Sequence, residues 1–347
     1  MKEIVVGKNE EGKRFDSFLK SYLKEASSGF IYKMLRKKNI TLNDKKSDGK
    51  DKLNAGDSIK IFFSDETLNK MRGSGSNDIF YNPAKVLPRE EQNSNFHEHR
   101  ATISNLDDFF NIDEFPVIYE DENIVLADKP VGMLTQKAAP CDFSLNDWLI
   151  HYLLKKGDVT SSSLETYRPS VCNRLDRNTS GLVICAKTLT GARKMNELIR
   201  DRSVSKYYRT IVGGKLTESM KLKGYLCKDE KKNIVTIRQD AKGASGFSYI
   251  ETEYVPVNYI PQKNLTMLEV KLITGKPHQI RAHLSSIGHP VAGDIKYGGQ
   301  RLKGINHQLL HSYRLIFPSD MEAPFNHLSG REFNAPLPKA FTDICSK

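Results

Sequence analysis

The chain has 347 residues, with 53 Lys+Arg against 42 Asp+Glu and a formal net charge of +11. That length accommodates two or three domains, and that charge points to a polyanionic partner, nucleic acid first. Five cysteines, Cys141, Cys172, Cys185, Cys227 and Cys345, are odd in number and form no C-x-x-C pair, which argues against a disulfide framework and a zinc site. No apolar run approaches the roughly 18 residues of a membrane span, and the amino terminus lacks a signal-peptide core, so the expected setting is a reducing cytoplasm.

Charge is concentrated early, with 15 Lys+Arg and 9 Asp+Glu in residues 1–62. Phe15, Phe18, Leu19, Tyr22 and Leu23 recur at helical spacing after Arg14, and Ser28 is placed to cap a second helix carrying Phe30, Ile31, Met34 and Leu35. On that helix Lys33, Arg36 and Lys37 fall at i, i+3, i+4 and form one basic face. Asn39 then ends the helix before a strand at Ile40-Thr41-Leu42. Turns at Asn43-Asp44 and Asn54-Ala55-Gly56-Asp57 lead into a strand over 58–63. Residues 64–112, with Gly73-Ser74-Gly75-Ser76, Pro83, Pro88 and the polar run 90–95, show no sustained period and are read as a flexible linker. His97 and His99 lie within it without further ligands at metal spacing.

The remainder, 113–347, reads as one larger domain. Val117-Ile118-Tyr119 and Ile124-Val125-Leu126-Ala127 flank a turn, as in a hairpin. Ser144 caps a helix whose apolar face holds Leu145, Trp148, Leu149, Tyr152 and Leu153. A helix over about 190–202 precedes a strand over 205–212, and further strands are expected near 233–238, 247–255 and 265–273. Helices interrupt strands without regular β-α-β alternation, which predicts an α+β domain around a mixed, mostly antiparallel sheet.

Two segments concentrate chemistry. In the first, Asp176 stands between Arg174 and Arg177, ahead of a Thr179-Ser180-Gly181 turn into an apolar strand. Adjacent positive charge favours the ionised carboxylate, suited to act as nucleophile or anion, although such a pattern taken alone is more often solvated surface charge. In the second, Thr274 to Leu284, Pro277 suits a first helical turn, Ile280, Leu284 and Ile287 form a buried stripe, and Gly288 ends the helix. His278, Arg281 and Ser285 then share another face. His278, His283 and His289 lack an i, i+4 pair on one face and an acidic third ligand, so no metal is expected.

Taken in order, V-L-A-D-K-P-V-G-M-L (125–134), N-R-L-D-R-N-T-S-G-L (173–182), K-Y-Y-R-T (206–210), T-G-K-P-H-Q-I-R-A-H-L-S-S-I-G-H-P-V-A-G-D-I-K-Y-G (274–298) and L-H-S-Y-R-L-I-F-P (310–318) resemble the RluA/RluC/RluD family of pseudouridine synthases. The resemblance spans about 115–340. Residues 12–63, helix-helix-strand with K-x-x-R-K before I-T-L-N, resemble the small S-four-type RNA-binding domain, which implies phosphate contacts from Lys33, Arg36, Lys37 and Lys38. The implied organisation is a binding module over 1–63, a linker over 64–112 and a catalytic domain over 113–347.

The family resemblance implies that Asp176 is the catalytic carboxylate, that Arg174 takes the place of the extruded nucleotide, that Tyr208 is the active-site tyrosine and that Arg281 pairs with Asp176. Lys129, His278 and Gln279, in the same motifs, are assigned to substrate or RNA binding. Asn173 stands where the family often has His, Thr210 where it has Ala, and Gly275-Lys276-Pro277-His278-Gln279 where it has G-R-T-H-Q. None of these departures removes a group the chemistry needs. The implied reaction breaks the bond from sugar to base nitrogen, turns the base and rejoins it through carbon 5, with no redox change and no cofactor. Asp176 acts at the sugar, either attacking its anomeric carbon or removing the neighbouring proton. Flipping the nucleotide costs a few kcal/mol, which Arg174 offsets by filling the gap. Tyr208 packs on the uracil and assists loss of the proton at carbon 5.

The implied partner is large-subunit ribosomal RNA, free or in a pre-ribosomal particle, with no membrane or DNA. The alternatives are a transfer RNA substrate, or a non-catalytic ribosome-assembly factor, for which loss of Asp176 would be the signature. Lys187, Arg193, Lys194, Arg200, Arg202 and Lys206 form a basic stretch that reads equally as RNA contact or as solvated surface.

Overall fold

The computed structural model describes residues 1–73, 115–139, 141–161, 163–229, 234–240 and 246–346. The chain divides into two compact units, Met1–Phe115 with Ile150–Arg168, and Pro116–Leu149 with Pro169–Lys347. Residues 150–168 therefore group with the first unit, where a single domain from 113 onward was expected. Helical periodicity marks an element but does not say which core it joins.

In the first unit, strand β1 (Lys2–Val5), helices α1 (Phe15–Tyr22) and α2 (Ser28–Arg36), strands β2 (Ile40–Leu42) and β3 (Ser58–Ile61) and helix α3 (Asp65–Arg72) follow in order. The sheet runs β1-β3-β2, antiparallel throughout. Phe15, Phe18, Leu19, Ile31, Leu35, Ile40, Ile59 and Ile61 form its core, as the apolar spacing requires. The cap of α2 is Ser27, whose hydroxyl accepts from the Phe30 N–H at 3.3 Å, one residue before the expected Ser28. Its end is set by Lys38, left-handed at φ 58°, and Asn39 only closes the turn by donating its N–H to the Met34 carbonyl. Asn43 and Asp44 both have positive φ, as a two-residue hairpin demands. Lys33, Arg36, Lys37 and Lys38 are all exposed.

A larger expectation fails in this unit. Residues 65–72, read as linker, form α3, capped by the Ser64 hydroxyl on the Thr67 N–H and anchored by buried Leu68. A helix with so few inward residues leaves no period to detect, because its stability comes from packing rather than pattern. Residues 74–114, with His97 and His99, lie outside the described residues.

The second unit is built on an eleven-stranded sheet of β4 (Val117–Glu120), β5 (Ile124–Lys129), β6 (Ser170–Val171), β7 (Ser180–Ala186), β8 (Ser205–Gly213), β9 (Met220–Asp229), β10 (Ile234–Arg238), β11 (Ser248–Ile260), β12 (Leu265–Leu272), β13 (Leu310–Ile316) and β14 (Glu332–Asn334). The order is β10-β9-β11-β12-β8-β13-β7-β5-β4, with β14 beside β13 and β6 beside β7. Only the β13–β7 pairing is parallel, so the sheet is mixed and mostly antiparallel, as expected. β9 was not anticipated, although its Met220-Lys221-Leu222-Lys223 alternation is a strand signal.

Helices α4 (Leu145–Lys156), α5 (Leu189–Arg200), α6 (Gln279–Ser286) and α7 (Lys339–Cys345) complete the described elements. Trp148 on α4 is fully buried, in keeping with its place on the apolar face. At the parallel pairing, Gly181 adopts φ 110° beside Ser312, where any Cβ would collide with the Ser312 backbone. Glycine is obligatory there, and it lets β7 start against β13 directly after the Asp176 loop.

Candidate active site

Asp176 sits in the loop between β6 and β7, and the neighbouring backbone is held from both sides by the segment after β5. The Thr135 hydroxyl accepts from the Leu175 N–H at 3.1 Å and donates to the Leu175 carbonyl at 2.8 Å. On the other side, the Arg177 carbonyl accepts from the Gly132 N–H at 3.0 Å and from Lys129 Nζ at 3.1 Å, and the Arg177 side chain returns a bond to the Gly132 carbonyl. Asn173 Oδ1 accepts from the Ile184 N–H at 2.7 Å, tying the loop to β7. A carboxylate fixed in this way keeps its aim without being buried, and its side chain is 27% exposed.

Arg281 reaches Asp176 from α6. Its Nη1 donates to Asp176 Oδ2 at 2.8 Å, while Nε and Nη2 grip Asp294 at 2.6 and 2.9 Å. Asp176 Oδ1 has no hydrogen-bond partner among the described residues. Burial disfavours the guanidinium charge, but the hydrogen bonds and charge of Asp294, followed by those of Asp176, raise the Arg281 pKa. The sequence reading placed Arg281 off the buried stripe, yet Arg281, Ala282 and His283 are buried beside Ile280 and Leu284, so the whole start of α6 is interior. Asp294 lies in the G-D-I-K-Y-G segment, from which the sequence assigns it no role. The signal available was an acidic residue between two glycines, and it does not say which cation the acid meets.

His278 precedes α6 in the left-handed region, φ 53°, so Pro277 lies before the helix rather than in its first turn. The cause is Gln279, whose Oε1 accepts from the Thr274 hydroxyl and the Lys276 N–H and whose Nε2 donates to the Glu251 carbonyl and the Thr252 hydroxyl. With all four bonds made internally and 2% exposure, Gln279 is a loop fastener, not an RNA contact. His278 does reach the site: Nε2 lies 3.9 Å from Asp176 Oδ2 and Nδ1 is 2.8 Å from the Tyr297 hydroxyl. Burial lowers its pKa, and the charge of Asp176 opposes this.

Lys129 is not an RNA contact either. It is wholly buried, and its Nζ donates to the carbonyls of Pro130, Met133 and Arg177 at 2.9, 2.8 and 3.1 Å. Burial pushes its pKa down to about 7, against the charges of Asp176 and Asp128. No donor is left for RNA, because the tetrahedral spread of three donors is used up holding the loop beside Asp176. Lys129→Met is therefore expected to cost about 3 kcal/mol or more in urea unfolding, since each stranded carbonyl costs about 1–3 kcal/mol. A variant as stable as the parent would remove Lys129 from this role.

Tyr208 lies on β8 opposite Ser312 of β13 and Val270 of β12, and lines the same cleft as Asp176, Arg174, His278 and Arg281. Burial pushes its phenol up to about 12, with the Ser312 hydroxyl acting against and the charge of Asp176 adding to the rise. The cleft has a volume of about 1000 Å³ and is rimmed by exposed Arg174, Arg177, Arg200, Arg202, Lys276 and Lys296. Lys187, counted in the basic stretch, is instead paired with Glu120 at 2.6 Å. A carboxylate with one committed and one open oxygen, in a basic cleft large enough for a nucleotide, is suited to act on a sugar carbon or a sugar proton.

Comparison with known proteins agrees with that chemistry. Residues 123–286 match the RNA pseudouridylate synthase family. An uncharacterised RNA pseudouridine synthase of Mycoplasma genitalium is 30% identical over 323 residues, covering 91% of this chain and 89% of the relative. The chain belongs to this family. Ribosomal large subunit pseudouridine synthase C of Escherichia coli K12 is 26% identical over 336 residues, covering 91% of this chain and 88% of that one. The solved structure of human RNA pseudouridylate synthase domain containing 4 shares the fold, with a TM-score of 0.52 and 21% identity over 66% of this chain and 91% of its own. In this pseudouridine synthase, two of the family departures noted above fall on backbone-facing positions, Asn173 bonding the Ile184 N–H and Thr210 donating to the Leu309 carbonyl at 2.8 Å, whereas Lys276 and Pro277 are exposed on the cleft. Among the described residues no helix is long and apolar enough to cross a membrane.

Proposed function

We propose that this pseudouridine synthase acts on large-subunit ribosomal RNA in the cytoplasm, with Asp176 as the catalytic group. The observation that carries this reading is the Asp294-Arg281-Asp176 relay. Arg281 is anchored by a buried acid on one side and holds one oxygen of Asp176 on the other, leaving the second oxygen open to the cleft. Ribosomal RNA is favoured over other RNAs because relatives matched across some nine-tenths of both chains carry that substrate in their names. Mapping pseudouridine in ribosomal and transfer RNA from cells with and without the gene tests the substrate directly. Loss confined to transfer RNA would overturn it.

In this reading the target nucleotide leaves its stack and enters the cleft, and exposed Arg174 fills the space left behind. Asp176 acts at the sugar. Tyr208 presents its ring to the uracil and, with its phenol pushed up to about 12, serves as a neutral hydroxyl rather than a standing phenolate. His278 lines the cleft beside the carboxylate and contacts the substrate.

The first unit supplies RNA affinity as an S-four-type module, through Lys33, Arg36, Lys37 and Lys38 at the exposed end of α2. Replacing all four with Gln is expected to weaken RNA binding and to flatten the slope of log affinity against log salt by roughly 0.7–0.9 per lost contact. The rate at saturating RNA should hold. An unchanged slope in filter binding would show that this face does not touch RNA.

A further inference from the structure

Lys206 stands on the cleft side of β8, two residues before Tyr208. Side chains two apart on a strand share a face, so the two stand side by side about 7 Å apart along the strand. Lys206 is only 8% exposed, and no group among the described residues accepts a hydrogen bond from its Nζ. The other lysines drawn into this unit are committed, Lys129 to three carbonyls and Lys187 to Glu120. Its stem is buried while its Nζ stays open to the cleft, so an unpartnered, partly desolvated ammonium is presented to whatever enters there.

A neighbouring cation adds to this. Burial first, and then the positive charge of Arg202, lower the Lys206 pKa. Arg202 lines the same cleft, is exposed, and closes α5 in the left-handed region at φ 61°, with its N–H on the Ile199 carbonyl and the Ser203 N–H on the Leu198 carbonyl. That closing position favours glycine. Two neighbouring cations that both line the cleft, neither with a partner among the described residues, are stabilised by an anion between them.

We propose that Lys206 and Arg202 form a phosphate subsite that grips a backbone phosphodiester of the RNA next to the uracil held at Tyr208. The inference rests on the reading that the cleft receives RNA.

The test uses the full chain and large-subunit ribosomal RNA transcribed in vitro, with affinity by filter retention across a salt series, single-turnover rates, and melting temperature. Lys206→Met should weaken binding about 10-fold and flatten the salt slope by about 0.7–0.9. The loss should fall on KM more than on kcat, and Lys206→Arg should recover most of it. The melting temperature should stay level or rise in Lys206→Met, because a partly desolvated unpaired charge is gone, and in Arg202→Gly, because the left-handed turn relaxes.

A parent-like slope and KM in Lys206→Met overturns the subsite. So does a lower melting temperature with no rescue by arginine, which would mark Lys206 as structural. If the parent binds this RNA without isomerising it while Lys206→Met still flattens the slope, the functional reading fails and the subsite stands. If the parent isomerises uridine and the slope is untouched, the subsite alone fails. A parent that does not bind this RNA sinks both.

Discussion

Asp176→Asn is expected to abolish pseudouridine formation, lowering the single-turnover rate by at least roughly 10⁴-fold, the scale seen when a nucleophile or its essential partner is removed. RNA affinity should stay within a few-fold of the parent. The amide keeps the shape of the side chain, and its oxygen still accepts from Arg281 Nη1, but it is neither a nucleophile nor a base. The fold should tolerate the change, because Asp294 alone continues to neutralise Arg281 through two hydrogen bonds. Single-turnover assays and filter binding on the same preparation measure both quantities. Turnover in Asn protein free of deamidated enzyme would take Asp176 out of its assigned role.

Arg281→Met is expected to cost about 3–5 kcal/mol of stability, since it strands Asp294, a carboxylate 2% exposed, without its partner. It should also lower the rate by roughly 10²-fold, as Asp176 loses the group that aims it. Arg281→Lys should lose less of each, because charge persists, although an ammonium cannot span both carboxylates as the guanidinium does. Neither should match the rate lost in Asp176→Asn. The double variant Arg281→Met with Asp294→Asn separates the two effects. Removing both buried charges should restore much of the stability, while the rate stays at the level of Arg281→Met. Urea unfolding and single-turnover rates read the two axes. If Arg281→Met keeps the parent rate, Arg281 is a structural helix residue and the pair with Asp176 has no functional meaning.

These two experiments rest on groups of unequal visibility in the sequence. Asp176 was legible from the R-L-D motif and the turn that leads into β7, but not its cation: the Arg177 side chain goes to the Gly132 carbonyl, no pair joins Arg174 to Asp176 among the described residues, and the carboxylate is held by Arg281 from α6. Arg281 was legible as a residue but not in its surroundings. Apolar spacing predicted a half-buried helix, whereas α6 is interior along its whole first half and Arg281 is buried between two acids. Lys129 and Gln279 were misassigned for one reason. A polar side chain in a motif looks the same in sequence whether its hydrogen bonds go outward to a substrate or inward to the backbone, and here every donor and acceptor goes inward. Asp294 went unassigned because its partner lies 13 residues away on another element.

The sequence by itself determined the α+β class, the mostly antiparallel sheet, the family and the basic helix of the first unit, since period, turn chemistry and ordered motifs act over short stretches of chain. Tertiary structure alone decided which charges meet. The segment after β5 became a clamp on the Asp176 loop, residues 150–168 grouped with the first unit, and Lys206 was left buried without a partner in the cleft. Burial and pairing depend on elements brought together from distant parts of the chain, and Coulomb and hydrogen-bond energies are settled only at those contacts.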